Sequence, residues 1–351
     1  MGYQVDFLQV GNGETSGDCI ALRFGDLHSA DPQRQHVIVI DGGFIESGEK
    51  LVEHIKSYYG TNYVDVVVST HTDRDHIAGL KPVIELLNVG QLVMHRPWIH
   101  SVSSGANEAQ EARKSYDQAS ELEQLATAKN IPIVEPFAGE GITFTDSAYM
   151  YVLGPDQTYY EELLKDFDHN KSALAKAIQA LHGPAITATN ILRKIQETLD
   201  PSSSTLDNVP KNMSAENNSS AIIYFNIEGH GMLFTGDAGV EALNKAIDFA
   251  VASQLDLTKL NFLDVPHHGS KHNLDTATLN RIQARTAFIS AAKESKKHPS
   301  PRVINELVRR GYGVFTTEAN NILHHLDSPQ RAGWSSLTSY SLIPEFDEDD
   351  E

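Results

Sequence analysis

Cysteine is almost missing from this chain: Cys19 is the only one in 351 residues, so no internal disulfide can staple the fold and stability must come from a packed core. Within the apolar run Cys19-Ile20-Ala21-Leu22-Arg23-Phe24 it reads as a small core residue. No apolar stretch reaches the length of a bilayer span, and the start Met1-Gly2-Tyr3-Gln4-Val5-Asp6 has neither the basic residues nor the apolar stretch of a secretory leader. Gly2 does not open a myristoylation pattern either, because the expected Ser or Thr four positions later is absent. A soluble, cytoplasmic chain with no membrane partner is expected. Positive charge is also scarce, with 28 Lys and Arg against 47 Asp and Glu and a net charge of −19. That balance argues against a broad polyanion-binding surface; an anionic substrate would need a local basic patch or divalent cations, and its binding would depend steeply on salt.

What is present is strand-like apolar patterning. Stretches Val5–Val10, Ile20–Phe24, Val37–Ile40, Val64–Ser69 and Gln91–Met94 alternate with helical patterns over Gly48–Tyr59 and Ala78–Leu87. A second set follows at Ala221–Ile227, Met232–Phe234, Phe262–Val265, Ala287–Ser290 and Val314–Thr316, with helical patterns over Val240–Ala252 and Arg302–Arg310. The pattern gives an α/β protein with buried strands, and 40% hydrophobic content supports one large domain over residues 1–343. Between the two sets, Gly105–Lys129 is charged, alanine-rich and helical in pattern. Residues 158–211 read as further helices, through Glu161–Leu164, Ser172–Leu181 and Thr189–Leu199, closing on the polar run 200–205. The tail 344–351 is acidic and predicted to be disordered.

The chemistry concentrates at strand ends. Thr70-His71-Thr72-Asp73-Arg74-Asp75-His76 packs two His and two Asp into six positions after the apolar run Val64–Ser69. In a strand-to-helix turn His71, Asp73 and Asp75 can converge while His76, opening the helix, turns back toward them. Imidazoles and carboxylates so placed read as a divalent-cation site. Three later segments repeat the arrangement: Thr235-Gly236-Asp237, Val265-Pro266-His267-His268-Gly269-Ser270, and Lys297-His298-Pro299-Ser300. A lone Asp after a strand is usually a turn or helix cap, but together the four segments hold donors enough for two ions.

These residues resemble the metallo-β-lactamase fold hydrolases, and within them the branch found as the soluble nuclease-like domain of the competence protein ComEC. The resemblance runs collinearly through Gly17-Asp18, Ile40-Asp41-Gly42-Gly43, the first cluster, Val152-Leu153-Gly154-Pro155, Asn217-Asn218-Ser219-Ser220, Thr235-Gly236-Asp237, His267-His268-Gly269-Ser270-Lys271 and His298-Pro299-Ser300. It implies a four-layer αββα sandwich, here with a helical insertion at about 158–211. It also implies one metal held by His71 and Asp73 and a second by Asp75, His76 and His267, with Asp237 bridging. Two departures stand out. Asp73 replaces the usual His of the superfamily, as in the ComEC-like branch, and no His stands before Asp237, where Glu216-Asn217-Asn218-Ser219 occupies the place. The first metal is therefore short of one protein ligand, to be filled by a carbonyl of Asn217 or Asn218, by water, or with the substrate.

The activity so implied is metal-dependent hydrolysis of a phosphodiester, in nucleic acid or a nucleotide, by a metal-activated water held near Asp75. Manganese is expected, with zinc competing, because carboxylate oxygens share the site with imidazoles. His298 is the candidate acid for the leaving oxygen, or else a helix-start cap before Pro299; His268 orients its neighbour; Ser270 and Lys271 are placed to hold a phosphate oxygen. Lys293, Lys296, Lys297, Arg302, Arg309 and Arg310 form either a basic patch or a solvated loop and helix face. The insertion reads as a lid over the site, or as an arm for a homodimer or a protein partner. Two other classes stay open: a hydrolase of esters, lactones or thioesters, and a regulatory module with an incomplete metal site. A free-standing nuclease of this kind would suit a defence or stress system.

Overall fold

In the computed structural model, two seven-stranded mixed sheets lie face to face with helices outside them. The structure describes all residues except 12, 101–115, 168–205, 208, 210, 212 and 344–351. The first sheet runs in the order β14 (Ile322–Leu326), β1 (Gly2–Phe7), β2 (Cys19–Gly25), β3 (Gln35–Gly42), β4 (Tyr63–Val68), β5 (Asn88–Val93) and β6 (Ile133–Val134). The second runs β13 (Gly313–Thr316), β12 (Ala284–Ile289), β11 (Leu260–Asp264), β10 (His230–Phe234), β9 (Ile222–Ile227), β8 (Ala148–Gly154) and β7 (Gly141–Thr145).

Period-two alternation explains how the sheets meet. Phe7, Ile20, Leu22, Phe24, Ile38, Ile40, Val66 and Val68 point inward against Ile223, Phe225, Phe234, Phe262 and Phe288 of the facing sheet, all of them buried. Phe288 sets its ring edge on Phe7 and Phe262, at 5.4 and 5.1 Å between centroids. The opposite faces of the same strands bury Ala21, Val37, Val39, Val64 and Val67 under the helices Ile45–His54, Leu80–Leu86 and Asp117–Ala128. On the far side Leu233, Leu263, Ala287 and Ile289 pack under Val240–Ala252 and Pro301–Arg309. Strands covered on both faces favour apolar residues at successive positions, which is why Val37–Ile40 of β3 and Val66–Val68 of β4 are continuously apolar. The result is the expected αββα order of layers.

Several boundaries differ from the sequence reading. The first strand is Gly2–Phe7 rather than Val5–Val10, because it pairs with β2 from Gly2↔Gly25 to Phe7↔Ile20, and its polar Asp6 is accommodated by Tyr59, His54 and Arg331. β6, β7, β8 and β14 were not among the expected strands. β14 also joins the two sets of elements, since it is late in the chain yet extends the first sheet through Tyr3↔Leu326 to Phe7↔Ile322. In the stretch 105–129 a helix spans Asp117–Ala128, and 101–115 lie outside the described residues. Of the insertion, a helix over Gln157–Leu163 is described; the expected helices at 172–181 and 189–199, the polar run 200–205 and the acidic tail fall outside the described residues.

Candidate metal centre

The candidate donors all leave the carboxyl ends of strands, and both sheets present those ends on one edge. β3 ends in Asp41-Gly42, β4 delivers 69–76, β10 runs into Gly236-Asp237, β11 into 265–268, and His298 follows β12. After β4 the backbone turns into a short helix, Arg74–Ile77, with the His76 N–H donating to the Asp73 carbonyl at 3.0 Å. Gly236 has φ of 49°, and a Cβ there would stand 2.9 Å from Thr70 Oγ1, so only glycine lets Asp237 approach the first cluster.

Asp237 sits in the middle. Its Oδ1 lies 3.3 Å from His76 Nε2 and 4.0 Å from His268 Nε2; its Oδ2 lies 3.5 Å from His267 Nε2 and 3.8 Å from His71 Nε2. His71 Nε2 is 3.7 Å from Asp73 Oδ2, and His268 Nε2 is 3.7 Å from Asp75 Oδ2. Two donor sets thus share one carboxylate: His71, Asp73 and His267 on one side, Asp75, His76 and His268 on the other. This differs from the ligand set carried over by resemblance, which paired His267 with Asp75 and His76 and made His268 an orienting neighbour. In the structure the imidazole beside Asp75 is that of His268, while His267 turns to the oxygen that His71 faces. The cause is local backbone: His267 and His268 both adopt left-handed φ, 49° and 56°, followed by Gly269 at 79°, so successive imidazoles diverge. Strain of this kind persists where the surroundings hold it, and it clusters at functional sites.

Hydrogen bonding fixes which ring nitrogens face inward. His76 Nδ1 lies 2.8 Å from Asp41 Oδ2, so Nδ1 carries the proton and Nε2 offers a lone pair. The Thr70 hydroxyl donates to Asp41 Oδ2 at 2.5 Å and therefore accepts from His71 Nδ1 at 3.0 Å, which leaves Nε2 of His71 bare as well. The Asn273 amide donates to the carbonyls of Asp237 and Ala238 at 2.9 and 3.2 Å, so its Oδ1 is the group that receives His267 Nδ1–H at 3.0 Å. The Nε2 atoms of His71, His76 and His268 and Oδ1 of Asp237 are buried with no hydrogen-bond partner. Buried acceptors pointed at one another lack a positive charge between them, and Asp75, His76 and His268, whose ligand atoms lie within 4.8 Å of one another, fit a divalent cation.

Protons take part of that role in the metal-free chain. Burial opposes a charged His76, yet Asp237, Asp41 and Asp18 outweigh it and raise its pKa well above the usual imidazole value. His268 is likewise raised to about 10, against burial, by Asp237, Asp18 and Asp75. His267 is lowered, burial outweighing Asp237. Asp237 falls well below the carboxylate range, against burial, through His267, His76 and His268.

The remaining expected residues divide. His298 comes to the site: its ring centroid is 5.4 Å from that of His267 and 6.2 Å from that of His268. It is not the helix cap, since Ser300 caps the helix by accepting from Arg302 N at 3.2 Å and Pro301 takes the first helical position. Burial and then the charges of His268 and His267 lower its pKa to about 3, so it is a neutral imidazole here. Asn217 and Asn218 act on the frame of the site: Asn217 Nδ2 lies 3.3 Å from His267 Nδ1, and Asn218 Oδ1 accepts from Gly239 N at 3.1 Å. Ser270 is buried, its hydroxyl accepting from His272 N at 3.2 Å, which commits it to the loop. Lys271 is partly exposed, with its carbonyl held by Lys211 Nζ at 2.6 Å.

Four residues that orient the donors went unassigned in the sequence. Asp41 and Thr70 hold His76 and His71, and Asn273 holds His267. Asp18 lies under the other pair, Oδ1 at 3.6 Å from His268 Nδ1 and Oδ2 at 3.7 Å from His76 Nδ1. A signal existed for Asp41 and Asp18, each a carboxylate at the end of a strand apolar enough to be fully buried, where an unpaired charge is costly.

Comparison with known proteins agrees with this architecture. A profile of the metallo-beta-lactamase superfamily matches residues 33–293. ComE operon protein 3 of Bacillus subtilis (strain 168) is 22% identical over 359 residues, covering 99% of this chain and 35% of that protein, so the chain spans about a third of the relative it matches. Among solved structures, Zn(2+)-bound PqqB from Methylobacterium extorquens aligns over 92% of this chain and 100% of its own, with 9% identity and a TM-score of 0.44. A diphosphatase of the PhnP family aligns over 93% and 98%, with 10% identity and a TM-score of 0.43. Among the described residues no helix is long and apolar enough to cross a membrane. With most of its length matched by that profile, and its two sheets delivering the donors to a common edge, the chain belongs to the metallo-β-lactamase superfamily.

Proposed function

We propose that this chain is a two-metal hydrolase acting on phosphodiesters. The observation that carries the reading is the shared Asp237 carboxylate, one oxygen facing His71 and His267 and the other facing His76 and His268. His71, Asp73 and His267 would hold one divalent ion, and Asp75, His76 and His268 the other, with Asp237 common to both. Manganese is the preferred ion, zinc the competitor, for a set of four imidazoles and three carboxylates. Bound there, a pair of cations lowers the pKa of water and stabilises charge on attacking and leaving oxygens. The chain's own part is to fix the donors from behind, through Asp41, Thr70, Asn273 and Asp18, and to leave one side open. Asp73 and Asp75 stand toward that opening, with side chains 43% and 29% exposed, while His71 and His76 form a fully buried floor. His298 borders it. As a neutral imidazole it has one N–H to give and one lone pair, which suits a hydrogen bond to a phosphate oxygen or to the leaving oxygen.

His267 beside the Asp237 oxygen that His71 faces weakens the regulatory-module reading. Ester, lactone or thioester hydrolysis is disfavoured by the lysine-rich approach beside His298, which suits an anion. The test is to strip the purified chain with chelator, restore manganese or zinc, and assay bis(p-nitrophenyl) phosphate, single- and double-stranded oligonucleotides, cyclic nucleotides and a carboxylic ester. Metal-restored cleavage of a phosphodiester, lost in His76→Ala, is expected. Cleavage of the ester alone would overturn the substrate assignment, and restoration by zinc but not by manganese would overturn the choice of metal.

A further inference from the structure

The loop between β12 and the helix Pro301–Arg309 carries Lys293, Lys296 and Lys297, all exposed, immediately before His298. Among the described residues none of the three makes an ion pair, in a chain that carries 47 carboxylate side chains. The arginines that follow behave differently. Arg309 and Arg310 donate to the two oxygens of Glu306 at 2.5 and 2.7 Å, and Arg310 also donates to Asn280 Oδ1 at 2.9 Å. Their charge is spent inside the fold and Arg302 is buried, so the basic patch visible in the sequence narrows to three lysines.

The loop that holds them is anchored through its backbone. Ala291 N donates to Thr317 Oγ1 at 2.9 Å, Ala292 N to Ser16 Oγ at 3.0 Å, Glu294 N to the Gly13 carbonyl at 2.8 Å, and His298 N to Ser295 Oγ at 3.1 Å. The first of these braces reaches β13's end; the second and third reach the N-terminal loop, which continues into Gly17-Asp18. Gly17 packs so tightly on the donor segment that a Cβ would meet the Asp75 carbonyl at 2.3 Å. One rim is thereby tied to the metal centre at both ends, through Asp18–Asp75 and through His298–His267. Within five positions of one anchored loop three exposed lysines face a single exposed carboxylate, Glu294, and leave a net positive patch that an anion would neutralise.

We propose that this rim is the docking surface for a nucleic-acid strand, with Lys293, Lys296 and Lys297 gripping phosphates that flank the one at the metal centre. The inference rests on the phosphodiesterase reading and names its substrate class. It also resolves how a chain of net charge −19 could engage a polyanion: attraction is confined to one anchored loop instead of spread over the surface. Lysine suits the task as a point charge on a long stem, able to follow a backbone without reading sequence.

The test compares the manganese-loaded wild-type chain with the triple variant Lys293→Ala/Lys296→Ala/Lys297→Ala on two substrates, a single-stranded oligodeoxynucleotide and bis(p-nitrophenyl) phosphate. The variant should raise KM for the oligonucleotide about tenfold or more at moderate salt and flatten the log–log salt dependence by about 2, the release expected for three contacts on a single strand. Its kcat, and its rate on the small diester, should stay within about twofold of wild type because no donor is touched. The triple Lys→Arg variant should restore the oligonucleotide KM. Equal losses on both substrates, or an unchanged salt slope, would overturn the rim. If the wild type cleaves neither diester, the phosphodiesterase reading fails separately. Anisotropy of a fluorescent oligonucleotide then decides the rim: salt-sensitive binding lost in the triple variant supports it, and equal binding by both chains removes it.

Discussion

The two sides of the Asp237 carboxylate are built alike in donors and differently behind them. On the side of Asp75, His76 and His268, the rear nitrogens of both imidazoles face carboxylates, Asp41 for His76 and Asp18 for His268. On the side of His71, Asp73 and His267, the rear partners are neutral, Thr70 for His71 and Asn273 for His267. A carboxylate behind a ligating histidine raises its basicity, and an amide or hydroxyl does so less. One position is therefore expected to hold its ion tightly and the other weakly, and the weaker ion exchanges more readily.

The largest effect should come from removing donors on the tight side. Asp75→Ala and His76→Ala are each expected to abolish hydrolysis and to remove one ion per chain, as counted by mass spectrometry of metals after dialysis; full activity with unchanged metal would refute the assignment. His298 comes next. His298→Ala should keep both ions while lowering turnover about two to three orders of magnitude on an oligonucleotide, the range for one hydrogen-bond donor to charge that develops in the transition state. With a nitrophenyl diester, whose leaving group needs little help, the loss should shrink; equal losses would make His298 a phosphate contact instead.

Rear partners should act one step more weakly, and unequally. Asp41 serves His76 directly and His71 through Thr70, so Asp41→Asn should weaken both ions about 10- to 100-fold. Asp18→Asn should weaken one ion by a similar factor and leave the other alone, because Asp18 lies only under His76 and His268. A titration in which Asp18→Asn weakens both equally would erase the distinction between the two sides. Circular dichroism matching wild type would separate these effects from misfolding.

Acidity should sharpen the contrast with the smallest change to the protein. His76 and His268 both have raised pKa, the latter to about 10, so at neutral pH the tight position must shed protons before an ion can bind. On the other side His71 is raised as well, against burial and the charge of His76, by Asp73 and Asp237, but His267 is lowered, so fewer protons are displaced there. As pH falls from 8 toward 6, the affinity of the Asp75–His76–His268 position should drop about tenfold per unit for each proton displaced, and that of its neighbour less. Proton release measured during metal titration in two buffers checks the sign. An affinity that rises on acidification would contradict it.

The sequence showed the donors more readily than their grouping. The cluster 71–76, Asp237 and the His267–His268 pair were legible because His and Asp gathered at the ends of apolar strands lose hydration that only a cation or a proton can replace. The layers were legible because the strand centres Val37–Ile40 and Val66–Val68 are continuously apolar. His267 and His268 could not be told apart along the chain, since their divergence depends on two successive left-handed residues that no residue type announces. Asn273 was hidden for another reason: it acts through an amide locked by the carbonyls of Asp237 and Ala238, 36 and 35 positions away, a contact made only by the fold. β14 escaped notice because Ile322-Leu323-His324-His325-Leu326 looks half-polar, and its partner, β1, lies at the other end of the chain.

Metal stoichiometry in two single variants tests the central assignment most directly. Manganese bound per chain, counted by electron paramagnetic resonance under saturating and then limiting metal, should fall from two to one in both His267→Ala and His268→Ala. The ion left in His267→Ala should be the tight, acid-sensitive one, and the ion left in His268→Ala the weak one. Two ions retained in His268→Ala, or the same residual affinity and pH profile in both variants, would contradict the pairing of His268 with Asp75 and His76 and of His267 with His71.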